Sequence, residues 1–515
     1  MNLSNQNKTL EDFELLKKLV LDKKPVLAEI LQKHGHKSLC DYAYDYLDVN
    51  LNSVVLSRQN EFLKVFGKEV EEVLGESIAD SAVKQLQKYY FLSTADHHGP
   101  ICHPFFLNSN LVTAATFAEH PDPILKNVVV LSCSNVSMAN SSFPRGLIFT
   151  GANQGKTKSW QFGFFSNSSE VRGSRVYNFS AYTIEAINKI KQKVAELVRS
   201  NETSQNVADR IFGLLENIYA KPEILACQNY SDQITKTNFS LWKKMFHLPE
   251  EETSNLLYIE LERVVNSLVS TNHLYQNTVI NRIMFDPKWR NEFVKNFNGI
   301  FGGFDIDKKI GSMFFWALPQ KSKYCQQLWV KGNFLETEDG SYKIALKPEE
   351  IEAAIKRKEL IPTSQMSLLI LSLYYGIKCL GGFSQVNYLT DNKLAYIKMM
   401  NDLGESVEAD ACLDRQTKEL GEDLTIAFLT DKENKLLLAS GLDLAVYGDK
   451  HVWPLLVSLT KKINLAEALD MMMPDFYFIS YTEAERSPDL QSISPTDIIN
   501  LTGIRSKIDS CISLF

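Results

Sequence analysis

At 515 residues the chain is too long for one simple core, and a prior of roughly 100–200 residues per domain gives two to four domains or one large composite. Apolar residues make up 44% and charged residues 23%, ordinary globular values that exclude extended disorder. The net charge of −7 provides no basic field for nucleic acid, so no such partner is expected.

Residues 1–90 read as helical. Thr9-Leu10-Glu11-Asp12 resembles a capping box before Phe13, Leu15, Leu16, Leu19 and Val20 at helical spacing. Pro25 opens a second helix that Gly35 ends, and further helices are expected across 52–74 and 76–90. The N-terminus lacks a basic stretch followed by an apolar run, so no secretory signal is expected.

A β-containing region follows over 91–182, with strands expected at 128–133, 146–150 and 161–165 and a polar loop over 134–145. Helices return over 183–300, at 183–199, 205–219 and 256–274. The last region, 301–515, is mixed. It contains a hairpin over 327–346 turning at Glu338-Asp339-Gly340, a helix over 348–358 and a charged connection, expected exposed, over 405–423. A second hairpin pairs 424–429 with 435–440, and a helix near 452–471 and a strand at 476–481 complete the chain.

The segment 360–377 carries no charge over 18 residues, near the length of a membrane span. It also contains Pro362, Thr363, Ser364, Gln365, Ser367 and Ser372. With Gly381-Gly382 as a stop, it reads as a buried core helix over 364–380, and no membrane association is expected. The eight cysteines are scattered without a CxxC pair, which points to reduced thiols and a cytoplasmic location. Together the elements predict a helix-rich α+β fold.

The densest chemistry lies at 94–104. Three of nine histidines, His97, His98 and His103, fall within seven residues beside Asp96 and Cys102. Imidazoles and a carboxylate that converge within about 2.0–2.2 Å of one point bind a transition metal. The Gly99-Pro100 turn predicts that His103 folds back towards His98, with Asp96 as a further ligand or as orienter of a ring. Glu119, His120 and Asp122 are the nearest ligands from another segment. A metal-free arrangement keeps one histidine as general base with Asp96 orienting it, and Cys102 is a nucleophile if an imidazolium lies close.

Asp96-His97-His98 resembles the signature triplet of the DHH-family phosphoesterases, which are manganese-dependent. That family also uses an aspartate-rich motif after its first strand. The first 90 residues here carry none, so the family is not assigned.

Three other stretches bear on function. Thr150-Gly151-Ala152-Asn153-Gln154-Gly155-Lys156-Thr157 approaches a phosphate-binding loop, but it has only three residues between its glycines and no clear helix after it. Asp305-Ile306-Asp307 offers hard oxygen ligands for Mg²⁺ or Mn²⁺. Gly381-Gly382 permits close backbone approach, with Gln385, Asn387 and Tyr388 placed to line a pocket.

The expectation is therefore a cytoplasmic enzyme dependent on a divalent metal (Zn, Fe or Mn). The catalytic group is Asp96, His97, His98, Cys102 and His103, with the metal held by Asp96, His97, His98 and His103. Arg145, Lys156, Arg172 and Arg175 hold a small anionic substrate. The alternatives are a metal-free transferase or ligase for a nucleotide or acyl-phosphate, and a non-catalytic helical scaffold.

Overall fold

The computed structural model describes residues 3–101, 103–140, 145–153, 156–249, 252–320, 322, 324–431, 435–508 and 512. It is 55% helical and 14% strand, distributed over several small sheets, which makes it a helix-rich α+β fold.

The organising element is a four-stranded sheet, every neighbouring pair of which is parallel. The strands needed here are β1 (Phe91–Ser93), β2 (Asn127–Ser132), β3 (Gly146–Asn153), β4 (Lys156–Gly163), β5 (Asn255–Glu260) and β6 (Lys378–Leu380). The sheet runs β6-β1-β2-β5. Its register sets Leu92 opposite Cys379, Ser93 opposite Val130, and Ser132 opposite Glu260. These strands come from the second, third and fourth of the regions read from sequence, so the sheet joins those regions.

Side chains on successive strand residues point to opposite faces. Phe91, Val128, Val130, Leu256, Tyr258 and Leu380 enter one hydrophobic core, and Leu92, Val129, Leu131, Leu257, Ile259 and Cys379 enter the other. Both faces are therefore covered, as parallel sheets require. The helix Pro104–Glu119 links β1 to β2 and packs in the first core together with Tyr230–Lys244; Ser53–Leu74 and Leu261–Leu268 pack in the second. Leu107, Leu111, Val112, Val130, Leu131, Leu256 and Leu257 are fully buried, at about 1.5–3 kcal/mol each.

Several sequence expectations change. The helix expected over 256–274 begins as β5 and turns helical only at Leu261–Leu268. The buried helix expected over 364–380 ends by Tyr374; Gly376, at φ 73°, redirects the chain into β6. The hairpin over 327–346 is a three-stranded antiparallel sheet of Trp329–Lys331, Phe334–Glu336 and Lys343–Ala345.

The stretch 405–423 is not an exposed connection. Its helix Ser406–Leu413 is held by a bidentate Arg58–Glu408 pair at 2.7 Å, and Arg415, Leu420 and Asp423 are buried. The strand expected at 476–481 is the helix Met473–Ser480, with Pro474 in its first turn and Phe476 stacked on Phe383 at 4.1 Å. The hairpin near 430 forms as expected, pairing Phe428–Thr430 with Leu436–Leu438. No helix among the described residues is long and apolar enough to cross a membrane.

Candidate active site

In an open parallel sheet, ligands bind outside the carboxyl ends of the strands, where the loops diverge. Here that edge gathers the chain after β1 (Thr94–His98), after β2 (Cys133–Asn135), at the end of β5 (Glu260–Glu262) and after β6 (Gly381-Gly382). Backbone bonds extend the sheet into these loops. Cys133 N–H donates to the Asp96 carbonyl and His98 N–H to the Cys133 carbonyl, both at 2.8 Å. On the far side Gly381 exchanges bonds with Glu419 and Gly421, which brings Glu422 and Asp423 to the same edge.

Extended backbone sends His97 and His98 in opposite directions. His98 is fully buried. Its Nδ1 meets Ser132 Oγ at 2.7 Å, its Nε2 meets Ser231 Oγ at 2.9 Å, and its ring stacks on Tyr258 at 5.9 Å. Burial lowers its pKa to about 4, so the ring is neutral. Both ring nitrogens of His98 are thus engaged by serine hydroxyls inside the core.

His97 keeps partial exposure and directs Nδ1 to Asn140 Oδ1 at 3.0 Å, and burial lowers its pKa. His103 and His97 both pack on Phe106, with ring centroids at 5.7 and 5.3 Å. Burial, and then the neighbouring His97, lower the His103 pKa to about 4. His103 faces a different space, a cavity of about 410 Å³ shared with Thr150, Lys158, Ser440 and Asp443.

Asp96 is fully buried. Asn110 Nδ2 donates to its Oδ2 at 2.8 Å, while Oδ1 has no hydrogen-bond partner. Burial pushes this carboxyl up to about 7. Tyr258, whose hydroxyl donates to the His97 carbonyl at 2.8 Å, stands close to it. Cys102 lies outside the described residues. Glu119, His120 and Asp122 precede β2 and so lie at the opposite end of the sheet, where Asp122 pairs with Lys88 and Glu119 with Lys461. Among the described residues no three His, Cys, Asp or Glu side chains are grouped as metal ligands.

Other residues at this edge escaped the sequence reading. Glu262 accepts from Ser134 N–H (2.7 Å), Ser134 Oγ (2.8 Å), Asn135 N–H (3.0 Å) and Cys133 Sγ (3.1 Å), and so fixes the turn after β2. Burial, and then Glu262, raise the Glu260 carboxyl to about 7; it is 8% exposed and its Oε1 is unpartnered. Burial likewise raises Glu422 and Asp423, each reinforced by neighbouring carboxyls. Asp423 Oδ2 is unpartnered, and Glu422 retains accessible surface. Among the described residues, none of Asp96, Glu260, Glu422 and Asp423 is ion-paired. Burial and the neighbouring Glu262 hold the Cys133 thiol well above its usual range.

The signal for Glu260 was available: it ends the apolar run 256–259 much as Ser132, its partner in the sheet, ends 128–131. Of the residues expected beyond Gly381-Gly382, Gln385 binds Thr94 Oγ1, Asn387 binds Val26 N–H, and Tyr388 stays half-buried beside Cys133 and Glu422.

Of the four cations expected to bind an anion, Arg145, Arg172 and Arg175 have described side chains, and they stand in different surroundings. Arg145 bonds Asn167 at 2.6 Å in a groove of about 700 Å³ shared with Lys189 and Lys193, and burial, with Arg172 nearby, lowers its pKa. Arg172 is exposed. Arg175 is half-buried beside Cys133 and Cys325. The side chain of Lys156 lies outside the described residues. The glycine-containing stretch at 150–157 is the end of an antiparallel hairpin in which Asn153 faces Lys156, so no helix N-terminus is aimed at a phosphate there. Asp305 is bonded to Lys308 in a surface turn. No protein-family model matches this chain, and no curated protein matches its sequence.

Proposed function

We propose that the protein is an enzyme that acts on a small molecule by proton transfer at the carboxyl ends of β6-β1-β2-β5. The observation that carries this reading is the convergence of ionisable side chains from four distant segments, buried and without ion partners, at the edge where parallel sheets bind ligands. Glu260 and Asp96, raised to about 7, hold a proton near neutrality and can donate it. His97, neutral and oriented by Asn140, accepts one. Cys133, held as a thiol by burial and Glu262, is a poor nucleophile and serves as wall.

The test is substrate depletion from a complex metabolite mixture, followed by mass spectrometry, with the parent, His97→Ala and Glu260→Gln. The expected result is a species consumed by the parent and spared by both variants, each confirmed folded at the assay temperature. Equal consumption by all three overturns the reading. Elemental analysis is the second arm. Near-stoichiometric Zn, Fe or Mn that disappears in His97→Ala would replace proton transfer by metal-assisted chemistry.

A further inference from the structure

The sequence led to the expectation of an anionic substrate. The carboxyl-end edge is lined instead by acids, whose ionised form a bound cation would favour. Asp96, Glu422 and Asp423 lie within electrostatic reach of one another, and Asp475 extends the group behind Asp423. Acidic residues alone do not make a site, but two further observations point to a missing partner. Asp96 Oδ1 and Asp423 Oδ2 are unpartnered on residues 0% and 4% exposed. The Glu422 carboxyl makes no hydrogen bond among the described residues, yet keeps accessible surface.

Two arginines, from the helix after β5 and the loop after β4, are directed elsewhere. Arg263 is bound to Glu69, Glu72 and Asp232, and Arg175 stands beside Cys133 and Cys325. Tyr388 adds an aromatic wall beside Glu422, and the Tyr258 hydroxyl stands against Asp96. Gly382 lets the acid in: a Cβ there would stand 1.8 Å from Glu422 Oε2.

Resting on the reading of this edge as the active site, we infer that its substrate is an organic cation, a primary or secondary ammonium. Its N–H donors meet the open oxygens of Asp96, Glu422 and Asp423, and its carbon skeleton lies on Tyr388. A bound ammonium favours the ionised form of buried acids with unfilled acceptor sites and donates to them, and an aromatic face adds attraction for the same cation. A bare metal ion fits less well, because the described His, Cys, Asp and Glu side chains form no three-ligand group.

Isothermal titration calorimetry on the full chain tests this with matched probes: putrescine and tyramine, their neutral counterparts 1,4-butanediol and 4-ethylphenol, the anions succinate and 4-hydroxyphenylacetate, and Mn²⁺. The expected result is saturable binding of an ammonium probe, about tenfold or more tighter than its neutral and anionic counterparts. Binding should weaken about tenfold in Glu422→Gln and in Tyr388→Leu, each checked for an unchanged unfolding transition; either variant alone suffices if the other misfolds.

A neutral or anionic probe that binds best, and is weakened by the same variants, would overturn the ammonium assignment and keep the site. Mn²⁺ binding lost in Glu422→Gln, with no ammonium binding, would replace it with a metal. Ammonium binding unaffected by both variants, or no ammonium binding at all, overturns the inference. The depletion experiment with His97→Ala and Glu260→Gln then judges the active-site reading separately.

Discussion

Replacing Glu260 with glutamine removes a carboxyl that the fold holds in its protonated form, and the effect on stability should depend on pH in a defined direction. Burial, and then the charge of Glu262, raise the folded pKa from 4.5 to about 7. The folded protein therefore binds more protons than the unfolded chain between these values. The resulting stability is fully present below about 4.5 and is lost as pH rises through 7. At about 1.4 kcal/mol per tenfold, ionising this group in place costs about 3 kcal/mol at pH 8. With the side chain only 8% exposed, solvent screening takes little from that figure.

Glutamine keeps the shape and cannot ionise. Glu260→Gln should thus match the parent near pH 4, apart from a constant offset, and gain about 3 kcal/mol on it by pH 8. Urea unfolding of both proteins at pH steps from 4 to 8.5 measures the difference. A difference that stays flat with pH, or that turns against the variant as pH rises, would show that Glu260 is ionised and partnered in the fold, and would refute the picture of a buried acid outside any ion pair.

Other consequences are as direct. His98→Ala should lose about 3–5 kcal/mol of stability, because it empties a buried ring site and strips partners from Ser132 and Ser231; a variant as stable as the parent but catalytically dead would restore His98 to the chemistry. Gly382→Ala should abolish ligand binding at the edge through displacement of Glu422, seen as loss of a calorimetric signal in a folded protein. The Cys133 thiol, held in its neutral form, should resist iodoacetamide at pH 8 in the native protein and react once unfolded, as peptide mass spectrometry would show. Asn110→Leu, which leaves Asp96 with no donor from that helix, should destabilise by about 1–3 kcal/mol in thermal or urea unfolding.

The sequence drew attention to the chain after β1, but its histidines do not converge there as their spacing suggested, for a reason visible in the backbone. A dense run of histidines suggests convergence on one point, but the chain there is extended, and alternation sends His98 into the core and His97 towards Asn140. β2 was legible because the run 128–131 is apolar throughout and bounded by polar residues, as a strand covered on both faces must be. β5 and β6 were not, because each abuts a helix: Leu256-Leu257-Tyr258-Ile259 continues without a break into Leu261–Leu268, and Lys378–Leu380 follows the helix ending at Tyr374. Periodicity does not separate a short buried strand from an apolar helical turn. Gly376 was the one local sign of the second boundary. The acid pair at 422–423 was hidden by its charged surroundings, which read as a solvated link, whereas burial there depends on partners such as Arg58 and Gly381 that are distant in sequence.

The order of strands across the sheet also sets the order in which it can be completed. β1 is synthesised early, but its outer neighbour β6 lies about 285 residues further along the chain. At roughly 5–20 residues per second, a ribosome takes about 15–60 s to cover that distance, during which the outer edge of β1 has no native partner. Contacts of such long sequence separation form slowly even in the finished chain. A truncation before Lys378 leaves that hydrogen-bonding edge open, and one before Glu422 removes part of the acidic edge, so nascent or shortened forms should depend on chaperones until the last strand docks.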